Sequence, residues 1–315
     1  MGSIGGYFSL ELSQGESYHP KAIALNTGRN CLEYILRCRG YSKVYIPYYT
    51  CGVVMEPFHK LGVAYSYYHI DKQLEIANDI PLKSDEALLY TNYFGLKQAY
   101  IEQIVKRYGK QLIIDNTQAF YAKPIEGTDT FYTCRKFFGV PDGAYLYTDA
   151  KVDFEIEHDV SYDRMSFLMK RLDLGAEAGY ADFREQSKRL VGQPIKRMSN
   201  LTTHLLKGID YQTAAQRRKE NYTYLHQYLA ETNQLSLAFD EEAVPMVYPY
   251  LTEDGELKQK LIEERVFVAT YWPNVLEWCG EKDLECLLTT NTCFLPMDQR
   301  YGIEEMGRII NVIKR

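Results

Sequence analysis

The run Leu112-Ile113-Ile114-Asp115 constrains this chain more than any other stretch. Apolar residues that end on a carboxylate describe a strand buried on both faces, and such strands belong to parallel sheets with helices packed on either side. The surrounding sequence repeats the theme. A short strand running into a turn is expected over Ile23–Gly28, and strands at Val44–Pro47, Val63–Ile70, Ala87–Tyr90 and Gln111–Asp115, then near Thr130 and at Ala144–Tyr147. Helices are expected from Arg29 to a glycine stop at Gly40, over Val53–Leu61 and over Gln98–Tyr108. Strands alternating with helices of this length are βαβ units, so the fold class is α/β with a mostly parallel sheet.

The texture changes after about Asp159. Helices are predicted over Met165–Leu172 and Glu177–Val191, and a long polar helix over Tyr211–Ala230 leads into a smaller α+β region. That region should hold strands at Met246–Leu251, Val266–Thr270 and Thr292–Leu295 and helices at Leu257–Glu264 and Glu304–Lys314. Two domains are therefore expected, residues 1–205 and 206–315.

Charge and cysteine usage narrow the partners. A net charge of −6 with scattered basic residues lacks the basic face of a nucleic-acid binder. No apolar run is long enough to span a bilayer, and Met1–Gly6 carries neither a basic cluster nor an apolar stretch of the secretory kind. The seven cysteines are odd in number and contain no CxxC pair, which disfavours a disulfide framework or zinc site and fits the cytoplasm. Cys31 and Cys38, and likewise Cys279, Cys286 and Cys293, recur at a spacing expected of buried helix faces. No metal is expected.

Asp115 falls at the C-terminal edge of its strand, where ligands gather in open α/β sheets. Further on, Thr133-Cys134-Arg135-Lys136 is followed by Gly139 and Gly143. A carboxylate and a lysine placed in this way, with glycines that let backbone approach a ligand, suit pyridoxal 5'-phosphate: the amine holds the aldehyde as a Schiff base, and the carboxylate keeps the ring nitrogen protonated. Lys136 and Asp115 are the expected catalytic pair. Gln118 is placed to reach the ring hydroxyl, and the helix start at Gly28, Arg29 and Asn30, with the hydroxyl of Thr133, is the expected phosphate site. Tyr93, Phe94, Tyr271 and Trp272 are candidates for lining the substrate pocket, with core packing as their ordinary role.

In series, these residues resemble the DegT/DnrJ/EryC1/StrS aminotransferases, a group of fold-type I pyridoxal-phosphate enzymes. Asn26-Thr27-Gly28-Arg29-Asn30-Cys31-Leu32 is similar to the group's SGTAAL turn, Ile46-Pro47-Tyr48-Tyr49-Thr50-Cys51 to its VPxxTF segment, and Asp115-Asn116-Thr117-Gln118-Ala119 to its DxAQA. Arg197-Met198-Ser199, Gln216-Arg217-Arg218 with Asn221 and Tyr222, and Leu295-Pro296 continue the likeness in order.

The resemblance implies a three-layer sandwich around a mixed, mostly parallel sheet, plus a small C-terminal α+β domain. It also implies a homodimer with active sites at the interface, and amino transfer from an amino acid donor to a keto sugar. The chain departs from the group's pattern at several points. Phe131 stands where the group has a serine, Val140-Pro141-Asp142-Gly143 replaces its GEGG, Ile195 its interface asparagine, and Cys51 the aromatic that would stack on the ring, for which Tyr49 is the substitute. Two other readings stay open: a lyase, dehydratase or desulfurase on the same cofactor, with Cys51 and Cys134 as the sulfur candidates, and a non-catalytic ligand-binding protein.

Overall fold

The computed structural model describes residues 4–315; Met1–Ser3, part of the leader reading, lie outside them. Seven strands form the main sheet in the order β1-β7-β6-β5-β4-β2-β3. They are β1 (Ile23–Leu25), β2 (Lys43–Pro47), β3 (Ala64–Tyr68), β4 (Glu86–Thr91), β5 (Leu112–Asp115), β6 (Asp129–Thr133) and β7 (Ala144–Tyr147). β2 to β6 pair parallel, and β7 runs antiparallel to both its neighbours. The sheet is mixed and mostly parallel.

Alternation along the central strands separates two apolar layers. Leu88, Tyr90, Leu112, Ile114 and Tyr132 enter one cluster, while Ala87, Leu89, Ile113 and Phe131 face the other, against Cys31, Leu32, Ile35 and Leu36 of helix α1 (Gly28–Arg39). With layers on both sides, β4 and β5 are buried at every position. The same alternation carries Asp115 and Thr133, each two residues beyond an α1-facing side chain, onto the α1 side at the C-terminal ends of their strands.

α1 is delimited by local chemistry. The Thr27 hydroxyl accepts from the Asn30 N–H at 3.2 Å, and Gly40, at φ +62°, closes the helix. Helices α2 (Met55–Leu61), α3 (Gln98–Tyr108), α4 (Ser166–Leu174), α5 (Tyr180–Arg189) and α6 (Asn200–Lys207) complete this part.

The long helix α7 (Tyr211–Leu229) then packs with β8 (Tyr248–Leu251), α8 (Leu257–Glu263), β9 (Thr292–Leu295) and α11 (Ile303–Ile313) around Tyr222, Leu225, Tyr248, Leu261 and Met306. Two short helices, α9 (Val275–Trp278) and α10 (Leu284–Asn291), lie between α8 and β9. β8 and β9 form a two-stranded antiparallel sheet.

Two expectations are corrected, and one open choice falls to core packing. Val266–Thr270 is not a strand: only Ala269 bridges to Phe294, and Arg265 just before it sits at φ +61°, which breaks an extended run. Cys279, Cys286 and Cys293 do not share one helix face, since they fall after α9, within α10 and within β9. Tyr93 and Phe94 are core residues; the Tyr93 hydroxyl donates to the Tyr49 carbonyl at 2.9 Å.

Candidate active site

A cavity opens where the C-terminal ends of β5 and β6 meet the first turn of α1. Gly28, Arg29, Asp115, Thr133 and Lys136 all line it, together with Thr117 and Trp272. Lys136 lies in the turn after β6, where the N–H groups of Phe137 and Phe138 both donate to the Cys134 carbonyl. Its amine donates to the Thr117 hydroxyl at 3.1 Å. The Thr117 N–H in turn donates to Asp115 Oδ1 at 2.8 Å.

Asp115 is fully enclosed. Burial pushes its carboxyl above the usual range, against the pull of the Lys136 charge and the Thr117 hydrogen bonds.

The α1 end of the cavity is made of donors. A Cβ at Gly28 would come within 3.3 Å of Thr117 Cγ2 and 3.8 Å of Phe131, so glycine keeps this wall thin. The first turn of a helix leaves backbone N–H groups free, and those of Gly28 and Arg29 have no acceptor among the described residues. The Asn30 N–H is taken by Thr27, and its side-chain amide bridges Asn26 and the Pro194 carbonyl. Asn30 is thus a wall residue outside the cavity lining. The Arg29 guanidinium pairs with Glu56 at 2.5 Å, and Glu56 also accepts from the Gly192 N–H, so this pair ties α1 to α2 and to the loop after α5.

Tyr49 and Gln118 lie behind the lining. Gln118 is wholly buried and its Oε1 accepts from the Phe94 N–H at 3.0 Å, while its amide nitrogen has no partner among the described residues. The Tyr49 ring meets Trp272 edge-on at 5.0 Å, and it is Trp272 that reaches the cavity.

Sequence reasoning missed Arg135. It lines the same cavity, has no carboxylate within salt-bridge distance among the described residues, and keeps a buried Nε without a partner. One Nη donates to the Ser187 hydroxyl at 3.3 Å. Burial, with Arg29 nearby, pulls its guanidinium down to about 10. The available signal was an arginine fixed beside Lys136 in a short turn, where its direction is set by the backbone.

The turn is held from below. Asp142 is wholly buried, accepts from Arg164 at 2.7 Å and from the Thr202 hydroxyl, and precedes Gly143. Gly143 stands at φ +109°, and a Cβ there would lie 2.9 Å from Thr202 Cγ2.

No family model matches the chain, and no curated protein does. Solved structures do. A chain named as a sugar aminotransferase from Streptococcus pneumoniae, in its PMP form, superposes with a TM-score of 0.65 at 15% identity, covering 97% of this chain and 93% of that one. DesV of S. venezuelae, solved with a ketimine intermediate, gives 0.63 at 15% over 93% and 84%. The GDP-4-keto-6-deoxymannose-3-dehydratase ColD gives 0.63 at 13% over 93% and 88%. A DegT/DnrJ/EryC1/StrS aminotransferase from Brucella abortus also matches, at 0.60 and 16% identity over 93% and 85%. The chain has the three-layer α/β fold of the DegT/DnrJ/EryC1/StrS-type aminotransferases.

Proposed function

We propose that this chain binds pyridoxal 5'-phosphate in the cavity between α1, β5 and β6 and transfers an amino group from an amino acid donor to a keto acceptor, with a keto sugar as the favoured acceptor class. The observation that carries the reading is that Lys136 and Asp115 line one cavity, linked through Thr117, together with the first turn of α1, whose Gly28 and Arg29 N–H groups have no acceptor among the described residues. The donor set fits the cofactor: an amine for the aldehyde, a carboxylate for the ring nitrogen, and backbone and hydroxyl donors for a phosphate.

When bound, the cofactor supplies the electron sink for chemistry at the donor's α-carbon. The protein's own residues do the rest. The buried Asp115 carboxylate would hold a proton on the ring nitrogen by charge pairing. Lys136 Nζ would take and return the proton at the reacting carbon as general base and acid. Gly28, Arg29 and Thr133 offer donors at the phosphate end, and Trp272 closes the cavity from the C-terminal region.

The functional unit we propose is a homodimer in a reducing compartment. Val160, Leu172, Leu174, Tyr180 and Val191 leave apolar surface exposed on and around α4 and α5, which suits a second copy, and all seven cysteines are free. A second reading, a lyase on the same cofactor, draws on the dehydratase ColD among the similar structures. A desulfurase draws nothing from Cys134, because burial pushes its thiol well above the ordinary range.

Mixing the cofactor-loaded protein with glutamate separates the main cases. Stoichiometric release of 2-oxoglutarate with conversion of the cofactor to its amine form supports the transferase. Loss of a substituent from the substrate without 2-oxoglutarate supports the lyase, and no spectral change with any donor supports a binding protein.

A further inference from the structure

We infer that Arg135 is the counter-ion for the cofactor's phosphate, supplied from within the same chain; this rests on the reading that the cavity takes pyridoxal phosphate. The cations lining the cavity are Arg29, Arg135 and Lys136. Arg29 spends its guanidinium on Glu56. Lys136 gives its amine to the Thr117 hydroxyl, whose backbone N–H is bonded to Asp115. Neither Lys136 nor Arg135 has a carboxylate within salt-bridge distance among the described residues, but Lys136 has Thr117 for its amine, whereas the single side-chain hydrogen bond of Arg135 is the 3.3 Å contact to Ser187.

The acids nearby are spoken for. Asp142 attracts Arg135 but gives its oxygens to Arg164 and Thr202. The contrast with Arg218 is instructive. That arginine is also buried without a carboxylate, yet it uses its donors on Gln299 and the carbonyls of Pro245 and Met246 and lies over the Phe137 ring at 4.6 Å. Arg218 is satisfied by the protein, whereas Arg135, which also lies over a ring, that of Phe183 at 5.7 Å, keeps a buried Nε with nothing to bond among the described residues. An unpaired guanidinium in a partly closed site is costly unless an anion completes it.

The neighbours select the anion. Arg135 lines the same cavity as Gly28 and Arg29, whose N–H groups have no acceptor among the described residues, and as Thr133, whose hydroxyl makes only a long 3.5 Å contact to the Gly143 carbonyl. A phosphate monoester carries two charges and three terminal oxygens and can use them all, with the guanidinium binding through its planar fork. A donor carboxylate, with two oxygens, would leave part of this set unmet.

The test compares pyridoxal phosphate with pyridoxal, which lacks the phosphate, on the apo protein and on Arg135→Gln and Arg135→Lys, with affinity read from the absorbance of the bound cofactor. Arg135→Gln should weaken pyridoxal phosphate roughly 10- to 100-fold, as for a lost charge-assisted pair, and leave pyridoxal unchanged. Arg135→Lys should recover part of the loss. Inorganic phosphate should raise the melting temperature of the parent protein and not that of Arg135→Gln.

Equal affinity of parent and Arg135→Gln for pyridoxal phosphate, with weaker binding of the amino donor, would overturn the assignment and give the guanidinium to the substrate carboxylate. If neither aldehyde binds the parent, the cofactor reading itself fails, and the phosphate melts still decide whether Arg135 holds an anion. Should Arg135→Gln not fold, Arg135→Lys carries the comparison, and unchanged affinity there would count against the fork.

Discussion

Lys136 and Asp115 are joined through a single residue, Thr117, whose hydroxyl accepts from the lysine amine at 3.1 Å and whose backbone N–H donates to the carboxylate at 2.8 Å. The arrangement comes from the sheet. β5 and β6 pair in parallel with Asp115 opposite Phe131, so the turn after β6 delivers Lys136 over the end of β5. The two groups face one cavity from adjacent strands.

Asp115 carries a tension between stability and function. Its folded pKa is raised by burial, so its contribution to stability is fully present below the unfolded value near 3.8 and is lost as pH rises through the higher folded value. Asp115→Asn should therefore melt at a higher temperature than the parent apo protein at neutral pH. The same substitution should lower the amino-transfer rate roughly 100- to 1,000-fold, as when a preorganised electrostatic partner is removed. Calorimetry on the apo protein and a coupled assay on the loaded one read the two effects separately.

Gly143 is set by its backbone. At φ +109°, with Thr202 Cγ2 at 2.9 Å and Cys134 Sγ and Met198 Cε at 3.3 Å from a built Cβ, an alanine is both strained and crowded. Gly143→Ala should lose roughly 1–3 kcal/mol of stability. A urea titration with an unchanged slope is the check, and Gly255→Ala, where a Cβ meets open space, is the control.

His19 should shape the acid limb. Its Nε2 lies 2.9 Å from the Phe120 carbonyl and its Nδ1 3.1 Å from the Tyr147 hydroxyl, among aromatic rings. Burial lowers its pKa from 6.5 to about 4, against the pull of the Phe120 carbonyl. The neutral ring contributes stability above pH 6.5, and that contribution is lost as pH falls through about 4. Melting temperatures between pH 7 and pH 4 should fall for the parent and fall less for His19→Gln.

Much of this was legible in the chain because buried parallel strands write themselves as apolar runs. Gln98–Tyr108 is helical at the predicted ends, and the Asp115 strand ends on its carboxylate as expected. Elements that lean on tertiary context were not legible. Val266–Thr270 has strand-forming composition but lies beside β9 with one bridge, and α6 announces itself only by the Ser199 cap that accepts from the Thr202 N–H. In sequence, Arg135 is marked only as the residue before Lys136. Its missing partner is a three-dimensional fact, since Asp142 is near in the chain but turned toward Arg164 and Thr202.

The central claim is that Lys136 captures the cofactor's aldehyde beside Asp115. Borohydride reduction of the protein loaded with pyridoxal phosphate, followed by peptide mass mapping, tests it most directly. The account predicts one pyridoxyl group per chain, on the peptide containing Lys136, and none on Lys136→Ala. A label on a different lysine, or an intact chromophore in Lys136→Ala, would contradict it.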